Sequence, residues 1–85
     1  MSYTVIIKKT AQKQILKLPK PYFEKVRKAI LSLETFPRPH GCIKLTGTDN
    51  IYRIRVGPYR IVYSIQDKLL IVEVFDIDDR KDVYK

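Results

Sequence analysis

Apolar and charged residues alternate over residues 51–64, and this alternation predicts a β-hairpin. The segment reads IYRIRVGPYRIVYS, and successive side chains of a strand point to opposite faces. A two-residue loop at Gly57 and Pro58 sets the cross-strand pairs, which are Val56 with Tyr59, Arg55 with Arg60, and Ile54 with Ile61. One face of the hairpin is then apolar. The other face carries Arg53, Arg55 and Arg60.

This pairing places Arg55 directly opposite Arg60, an arrangement that folding alone does not favour. Like charges that face each other across a ladder cost a few tenths to about 1 kcal/mol. A guanidinium is planar, permanently charged and suited to bidentate contact with phosphate. We therefore expect an anionic partner for this face of the hairpin.

Two helices are predicted between the first strand and the hairpin. Thr10 is expected to cap a helix over residues 11–18. Pro21 suits the first turn of a second helix that runs to about residue 35. In both helices apolar residues recur at intervals of three and four, which is typical of a face that packs against a sheet. The helices can therefore cover the apolar face of the hairpin.

Three further segments are predicted to be strands, at residues 3–8, 43–45 and 69–77. If Asp67 and Lys68 form the last loop, the register of the final hairpin follows, with the pairs Tyr63–Val72, Val62–Glu73, Ile61–Val74 and Arg60–Phe75. The apolar face then gains three residues, which are Leu70, Val72 and Val74. The arginine face gains Phe75 and Glu73.

The expected fold is α+β, in a single domain over residues 1–85. An N-terminal strand and two helices pack on a mostly antiparallel, twisted sheet in the order β-α-α-β-β-β, to which residues 43–45 add a short strand. The last strand ends beside the Gly57–Pro58 turn. This end brings Arg80 and Tyr84 of the C-terminal tail close to the arginine face.

The chain of 85 residues carries a net charge of +8, which favours an anionic partner such as nucleic acid, an anionic membrane surface or an acidic protein. Most of the excess lies before the hairpin. Lys9, Lys13 and Lys17 share one helix side, which is either a solvated face or a phosphate contact. The single cysteine excludes an intramolecular disulfide. No apolar run is long enough to span a bilayer, so we expect a soluble, cytoplasmic protein.

The sequence contains no glycine-rich phosphate loop, no Cys/His metal set and no catalytic triad. We therefore expect no metal and no cofactor, and His40 is interpreted as a plain loop histidine. Arg53, Arg55, Arg60 and Arg80 form a predicted phosphate-binding cluster. Tyr84 is the candidate for proton transfer, because neighbouring cations favour its phenolate. Glu73 is either an alternative base or, as we favour, an ion-pair partner of Arg60 or Arg53.

Three motifs resemble the RelE toxins of bacterial and archaeal toxin–antitoxin systems, within the wider RelE/ParE superfamily. They are KLTG at residues 44–47, YRIRVGPYRIVYSI at residues 52–65 and RKDVYK at residues 80–85. The resemblance covers nearly the full length and implies a ribosome-dependent mRNA endonuclease that uses the RNA 2′-hydroxyl as nucleophile and needs no metal. It also implies three partners, which are the ribosome, mRNA and a cognate antitoxin. No membrane or small-molecule cofactor is implied.

By position, the resemblance implies catalytic roles for Arg60, Arg80 and Tyr84, and Arg55 is added from its place on the hairpin. The RNA-binding set is expected to comprise Arg53, Arg55, Phe75, Lys9, Lys13, Lys17 and Lys44. The chain departs from many relatives where Asp78 and Asp79 replace a Gly-His pair before Arg80. It also has arginine at positions 53 and 55, where relatives often have lysine.

Two alternatives to the endonuclease stay open from the sequence. The first is a ParE-like inhibitor of DNA gyrase on the same scaffold, without nuclease chemistry. The second is a non-catalytic module that binds RNA or an acidic antitoxin through the arginines. RNA cleavage on ribosomes, DNA damage, and salt-sensitive RNA binding without cleavage distinguish the three.

Overall fold

The computed structural model describes residues 2–79 of the chain. Its helices are α1 (Lys9–Leu16) and α2 (Lys20–Ser32). Its strands are β1 (Thr4–Ile7), β2 (Ile43–Lys44), β3 (Ile51–Val56), β4 (Tyr59–Gln66) and β5 (Ile71–Asp79). The predicted α+β fold is confirmed. No helix in residues 2–79 is long and apolar enough to cross a membrane.

The strands form one sheet in the order β1-β5-β4-β3-β2. β1 runs parallel to β5, while the other neighbouring pairs are antiparallel. The two helices form the connection from β1 to the rest of the sheet, and their apolar faces join the buried side of β3, β4 and β5 in one core. The opposite side of the sheet is the one that neither helix covers.

Helix α1 begins earlier than the sequence predicted, whereas Pro21 lies in the first turn of α2 as expected. α1 begins at Lys9, and its N-cap residue Lys8 makes no side-chain capping hydrogen bond. Thr10 therefore lies inside the first turn, and its predicted role as a cap is wrong. Ala11 and Ile15 hold α1 on the core, with exposures of 0% and 8%. Burial of this face, rather than a capping side chain, accounts for the position of the helix.

The register of the β3–β4 hairpin is confirmed at every predicted pair, including Arg55 with Arg60. Gly57 has a φ of +60°, as the first residue of a type II′ turn requires. The Tyr22 ring of α2 packs against this turn, so closely that a Cβ on Gly57 would lie 2.7 Å from Tyr22 Cε1. Tyr22 also packs edge-to-face on Tyr59, with ring centroids 5.2 Å apart.

The predicted register of the last hairpin is wrong, because its turn spans residues 67–70 instead of two residues. Leu70 lies in this turn with a φ of +54° and does not join the strand. The observed pairs near the turn are Ile65–Val72, Ser64–Glu73 and Tyr63–Val74. Each residue of β5 therefore lies opposite a different partner from the one predicted.

A β-bulge at Phe75 then shifts the register once more. Val62 pairs with Asp76, Ile61 with Ile77, and Arg60 with Asp78, so Phe75 has no partner on β4. Val74 and Ile77 are both buried, yet residues three apart in a regular strand face opposite sides of the sheet. The extra residue of the bulge shifts the alternation by one position, so that Val74 and Ile77 both face the core.

Candidate functional site

Three arginines lie on the sheet face that the helices leave uncovered. Arg55 is paired with Arg60 across β3 and β4, and Arg53 is paired with Val62. Their strand neighbours Ile54 and Ile61 are buried in the core, so the arginine side chains point the opposite way. The structure thus brings together Arg53, Arg55 and Arg60 as the sequence predicted.

Arg60 contacts a carboxylate on its other side. Its Nη2 atom lies 2.5 Å from Oδ2 of Asp78, which is its ladder partner on β5. The side chains are 22% and 37% exposed. Arg60 Nε is buried and has no hydrogen-bond partner among the described residues. One row across three strands therefore reads Arg55, Arg60 and Asp78, so the chain itself supplies an anion for this face.

The predicted neighbours of the arginines on β5 do not reach them. Glu73 accepts a hydrogen bond from Gln66 and forms an ion pair with Lys8 at 3.7 Å. It lies opposite Ser64, four positions from Arg60 along β4, which corresponds to roughly 13 Å. The prediction that Glu73 holds Arg60 or Arg53 is therefore wrong. Phe75 does not pair with Arg60 either, because it is the half-buried extra residue of the bulge.

The predicted RNA-binding lysines do not join the arginine face. Lys9, Lys13 and Lys17 are exposed along α1 and at its C-terminal end, on the helical side of the sheet. Lys44 is exposed on β2 opposite Tyr52. Directly paired residues share a face, and Tyr52 packs with the core. These lysines therefore form basic surface that is separate from the arginine cluster.

A groove of about 370 Å³ adjoins Arg53 and Arg55. It lies between α2, the loop around His40, and the part of β3 that extends beyond its pairing with β2. Its lining combines residues Arg53 and Arg55 with the apolar residues Ile43, Ile54 and Val56. The groove therefore lies beside two of the three arginines of the cluster.

Arg80 and Tyr84 lie outside the described residues. The last strand runs to Asp79, two residues beyond its predicted end, and it ends beside the Gly57–Pro58 turn as predicted, because Asp79 pairs with Tyr59. The C-terminal residues therefore follow directly from the end of the sheet that holds Arg60. Their roles stay predictions.

The opposite end of the sheet holds a second arginine–carboxylate pair, in which all three guanidinium nitrogens of the arginine donate a hydrogen bond. Arg38 binds Asp67 through two nitrogens at 3.2 and 2.8 Å, and its Nε donates to the Tyr52 hydroxyl at 3.3 Å. Tyr3 also donates to Asp67, at 2.6 Å. The hydrogen bonds from Arg38 and Tyr3 lower the pKa of Asp67 to about 2. We call these four residues, Tyr3, Arg38, Tyr52 and Asp67, the loop latch.

The loop latch closes over a buried tyrosine. Tyr63 is fully buried, and its hydroxyl donates to the Pro37 carbonyl at 2.8 Å. Its ring stacks on Tyr52 with centroids 6.1 Å apart. Burial raises the pKa of Tyr63 well above its usual value, so the phenol stays protonated. These contacts hold the loop after α2 in place, and their role is structural.

Sequence reasoning missed two residues that shape the site. Asp78 was noted only as a departure from relatives, because its contact with Arg60 depends on the bulge. Gln14 of α1 was interpreted as neither core nor site. Its side chain accepts from the Ile77 backbone N–H and donates to Asp76, both at 2.8–2.9 Å. The break in alternation between Val74 and Ile77 was the available signal for the bulge.

Comparisons with known proteins agree on one family. Residues 5–84 match the family described as the ParE toxin of type II toxin–antitoxin system, parDE. The chain is 31% identical over 90 residues to RelE1 of Methanocaldococcus jannaschii, which covers 100% of this chain and 98% of that protein. RelE1 and the present chain therefore correspond over their whole lengths.

Solved structures support the same assignment. The archaeal RelE–RelB complex from Pyrococcus horikoshii matches with a TM-score of 0.84 and 33% identity, over 94% of this chain and 97% of that one. The isolated E. coli RelE toxin matches with a TM-score of 0.80 and 28% identity, over 98% and 92% of the two chains. The chain therefore belongs to the RelE/ParE family of type II toxins.

Proposed function

We propose that this protein is a ribosome-dependent mRNA endonuclease that acts in the cytoplasm and inhibits translation. The observation that carries the proposal is the arginine row on the uncovered face of the sheet, centred on Arg60. Its buried Nε has no partner in the described structure, and such a donor gains most from an incoming oxyanion. The likeness to isolated E. coli RelE adds support.

In the proposed reaction, the 2′-hydroxyl oxygen of one nucleotide attacks the adjacent phosphorus. The bond from phosphorus to the 5′-oxygen breaks, which leaves a 2′,3′-cyclic phosphate and a new 5′-hydroxyl. The attacking hydroxyl loses a proton and the leaving oxygen gains one, so no other reactant is consumed. Negative charge accumulates on the phosphate oxygens in the transition state, where fixed guanidinium groups stabilise it. This scheme requires no metal.

Arg60 and Arg55 are the proposed groups that stabilise this charge, and Arg53 positions the neighbouring backbone phosphate. We also propose that Arg80 completes the cationic set and that Tyr84 transfers a proton, since both follow closely after the end of β5. Cations near a phenol lower its pKa and make it a better base at neutral pH. An arginine has no such capacity, because its guanidinium stays charged.

The test is a translation reaction with purified ribosomes and a message whose ends are mapped by primer extension. Wild-type protein should cut the message only when ribosomes are present. Arg60→Ala should reduce the cutting rate about 100-fold or more, and Tyr84→Phe should also reduce it. Arg27→Ala is the matched control, because Arg27 lies on α2 and pairs only weakly with Glu24 at 3.9 Å. An intact message with wild-type protein would contradict the proposal.

Gyrase inhibition is the second candidate, because the family description that matches residues 5–84 is that of ParE. A supercoiling assay with purified DNA gyrase separates the two functions. Inhibited supercoiling with an intact message would support this candidate over RNA cleavage. We favour cleavage because the arginine row offers oxyanion contacts that inhibition by protein contact does not require.

We further propose that an antitoxin binds this protein, as in the RelE–RelB complex from P. horikoshii and the toxin–antitoxin complex RelBE2 from M. tuberculosis. Leu16 and Leu31 are 74% and 49% exposed and line an apolar groove of about 310 Å³ between the helices. Exposed apolar patches of this kind mark protein contacts. Leu31→Asp should weaken binding of the protein encoded by the adjacent reading frame, while Leu69→Asp, in the distant turn, should not.

A further inference from the structure

We propose that Asp78 is a specificity-determining residue that competes with RNA for Arg60. Its carboxylate occupies the guanidinium in the free protein, and a substrate phosphate must displace it. This role depends on the proposed RNA cleavage and adds a regulated step to it. Only substrates that are held in place by further contacts, such as a message on the ribosome, then gain full access to Arg60.

The geometry makes Asp78 a direct competitor. Its Oδ2 lies 2.5 Å from Arg60 Nη2, and carboxylate and phosphate oxygens are equivalent acceptors for a guanidinium. Asp78 satisfies one edge of Arg60 and leaves Nε without a partner among the described residues. A phosphate that binds two donors of Arg60 at once therefore replaces the single contact with a better one.

The contact is built into the sheet. Arg60 and Asp78 are ladder partners, because the bulge at Phe75 sets the register of this part of β5. Two other acids of the strand are held elsewhere: Asp76 accepts from Gln14, and Glu73 contacts Gln66 and Lys8. Among the side chains described in residues 2–78, Asp78 is the acid that forms an ion pair with the arginine row.

The charges in the arginine row explain what Asp78 contributes in the free protein. Arg55 and Arg60 face each other, and like charges across a ladder destabilise the sheet. Asp78 offsets this repulsion when no RNA is bound. A bound phosphate takes over the same compensation, so the free protein keeps a stable hairpin and reduced affinity for free RNA. Without Asp78 the affinity for any RNA phosphate should rise.

Binding is tested with a short single-stranded RNA whose 2′-hydroxyls are methylated, so that cleavage cannot occur. Asp78→Asn should lower the Kd about threefold to tenfold, as expected for loss of one competing charged contact. Asp78→Glu keeps the carboxylate and should bind much as the wild type does. Asp49→Asn, in an exposed loop, removes the same charge and is the control for net charge.

A titration with inorganic phosphate gives a direct readout at the guanidinium. The NMR signal of the Arg60 Nε–H group should shift at a lower phosphate concentration in Asp78→Asn than in wild-type protein. An unchanged or weaker affinity for RNA in Asp78→Asn would overturn the proposal. A lower Tm with an unchanged Kd would do the same, because it would show that Asp78 only stabilises the sheet.

The experiments distinguish a failure of the proposed RNA cleavage from a failure of the proposed role of Asp78. If neither wild-type protein nor Asp78→Asn cuts message on ribosomes, RNA cleavage is wrong, while the binding measurements still decide the role of Asp78. If both cut message and the Kd values agree, cleavage stands and the competitor is wrong. Should Asp78→Asn fail to fold, the phosphate titration is carried out on Asp78→Ser, which also removes the carboxylate. An Arg60 signal that shifts at the same phosphate concentration as in wild type would then contradict competition.

Discussion

The two ends of the sheet each hold an arginine–aspartate pair, and the pairs differ in how completely the arginine is used. In the loop latch, Arg38 makes two contacts with Asp67 and a third with Tyr52, and it lies over the Tyr52 ring at 5.1 Å. At the other end, Arg60 contacts Asp78 through Nη2 and keeps a buried Nε without a partner in the described structure.

The difference separates a structural pair from a candidate binding pair. A satisfied arginine has little to gain from a ligand, whereas a buried donor without a partner carries a cost that a ligand can remove. The charges next to each arginine support the same distinction. Arg60 faces Arg55, while the partners of Arg38 are one acid and a tyrosine. Exposure alone would mislead here, because Arg38 is the more accessible of the two, with 44% against 22% of its side chain exposed.

Lysine substitutions at the two arginines give the largest expected contrast. Arg60→Lys should reduce ribosome-dependent cleavage about tenfold to 100-fold, because an ammonium group cannot provide the parallel donors of a guanidinium. Arg38→Lys should leave cleavage unchanged and lower the Tm. Primer extension and thermal unfolding of both variants measure the contrast. Equal losses of cleavage at the two positions would remove the distinction between the pairs.

Gly57→Ala tests the turn beside Arg60. An alanine at φ +60° costs about 1–2 kcal/mol, and its Cβ would also lie 2.7 Å from the Tyr22 ring. Gly47→Ala is the matched control, since Gly47 has a φ of +82° and nothing within 4 Å of an added Cβ. Urea unfolding should show a larger loss for Gly57→Ala. Equal losses would mean that the tyrosine moves aside without cost.

Tyr63→Phe tests the hydrogen bond to the loop beneath the loop latch, and its expected loss of stability is smaller than that of Gly57→Ala. Loss of the hydroxyl leaves the Pro37 carbonyl without its partner and should cost about 1 kcal/mol of unfolding free energy. Tyr22→Phe retains a packed ring and should cost less, since no hydrogen bond of its hydroxyl is found in the described structure. Cleavage should be unaffected in both. A stability equal to that of wild type in Tyr63→Phe would argue against the hydrogen bond.

The smallest expected effect is the acid sensitivity of the loop latch. The pKa of Asp67 is lowered from 3.8 to about 2 in the folded protein, so its stabilising contribution is present above pH 4. That contribution is lost as the pH falls towards 2. Asp67→Asn removes this titration. The Tm of wild type should therefore fall more than that of Asp67→Asn between pH 4 and pH 2, and parallel curves would contradict the shifted pKa.

The fold could be predicted well because its signals are local. Strict alternation and a glycine at the turn specify the β3–β4 hairpin, and every predicted pair there is confirmed. The last hairpin could not be predicted in the same way. Its turn uses Leu70 at a positive φ, a conformation that branched and bulky residues rarely adopt. The two-residue loop expected from sequence therefore placed all of β5 in the wrong register.

In the candidate site, too, some features could be predicted from the local sequence and others could not. Alternation alone placed Arg53, Arg55 and Arg60 on one face, and the resemblance of the motifs supplied the family, which the comparisons confirm. The catalytic and RNA-binding roles stay predictions. The lysine row of α1 lies away from the arginine face because the helix packs on the other side of the sheet. Lys44 lies away from it because its pairing partner on β3, Tyr52, faces the core.

The sequence by itself determined the class of fold, the arginine row and the need for an anion beside it. Only the tertiary structure decided that one such anion is Asp78. A local pattern specifies which side a residue faces, because the strand pleat has a period of two. The partner across the sheet depends on the turn and on the bulge at Phe75, which burial of both Val74 and Ile77 requires.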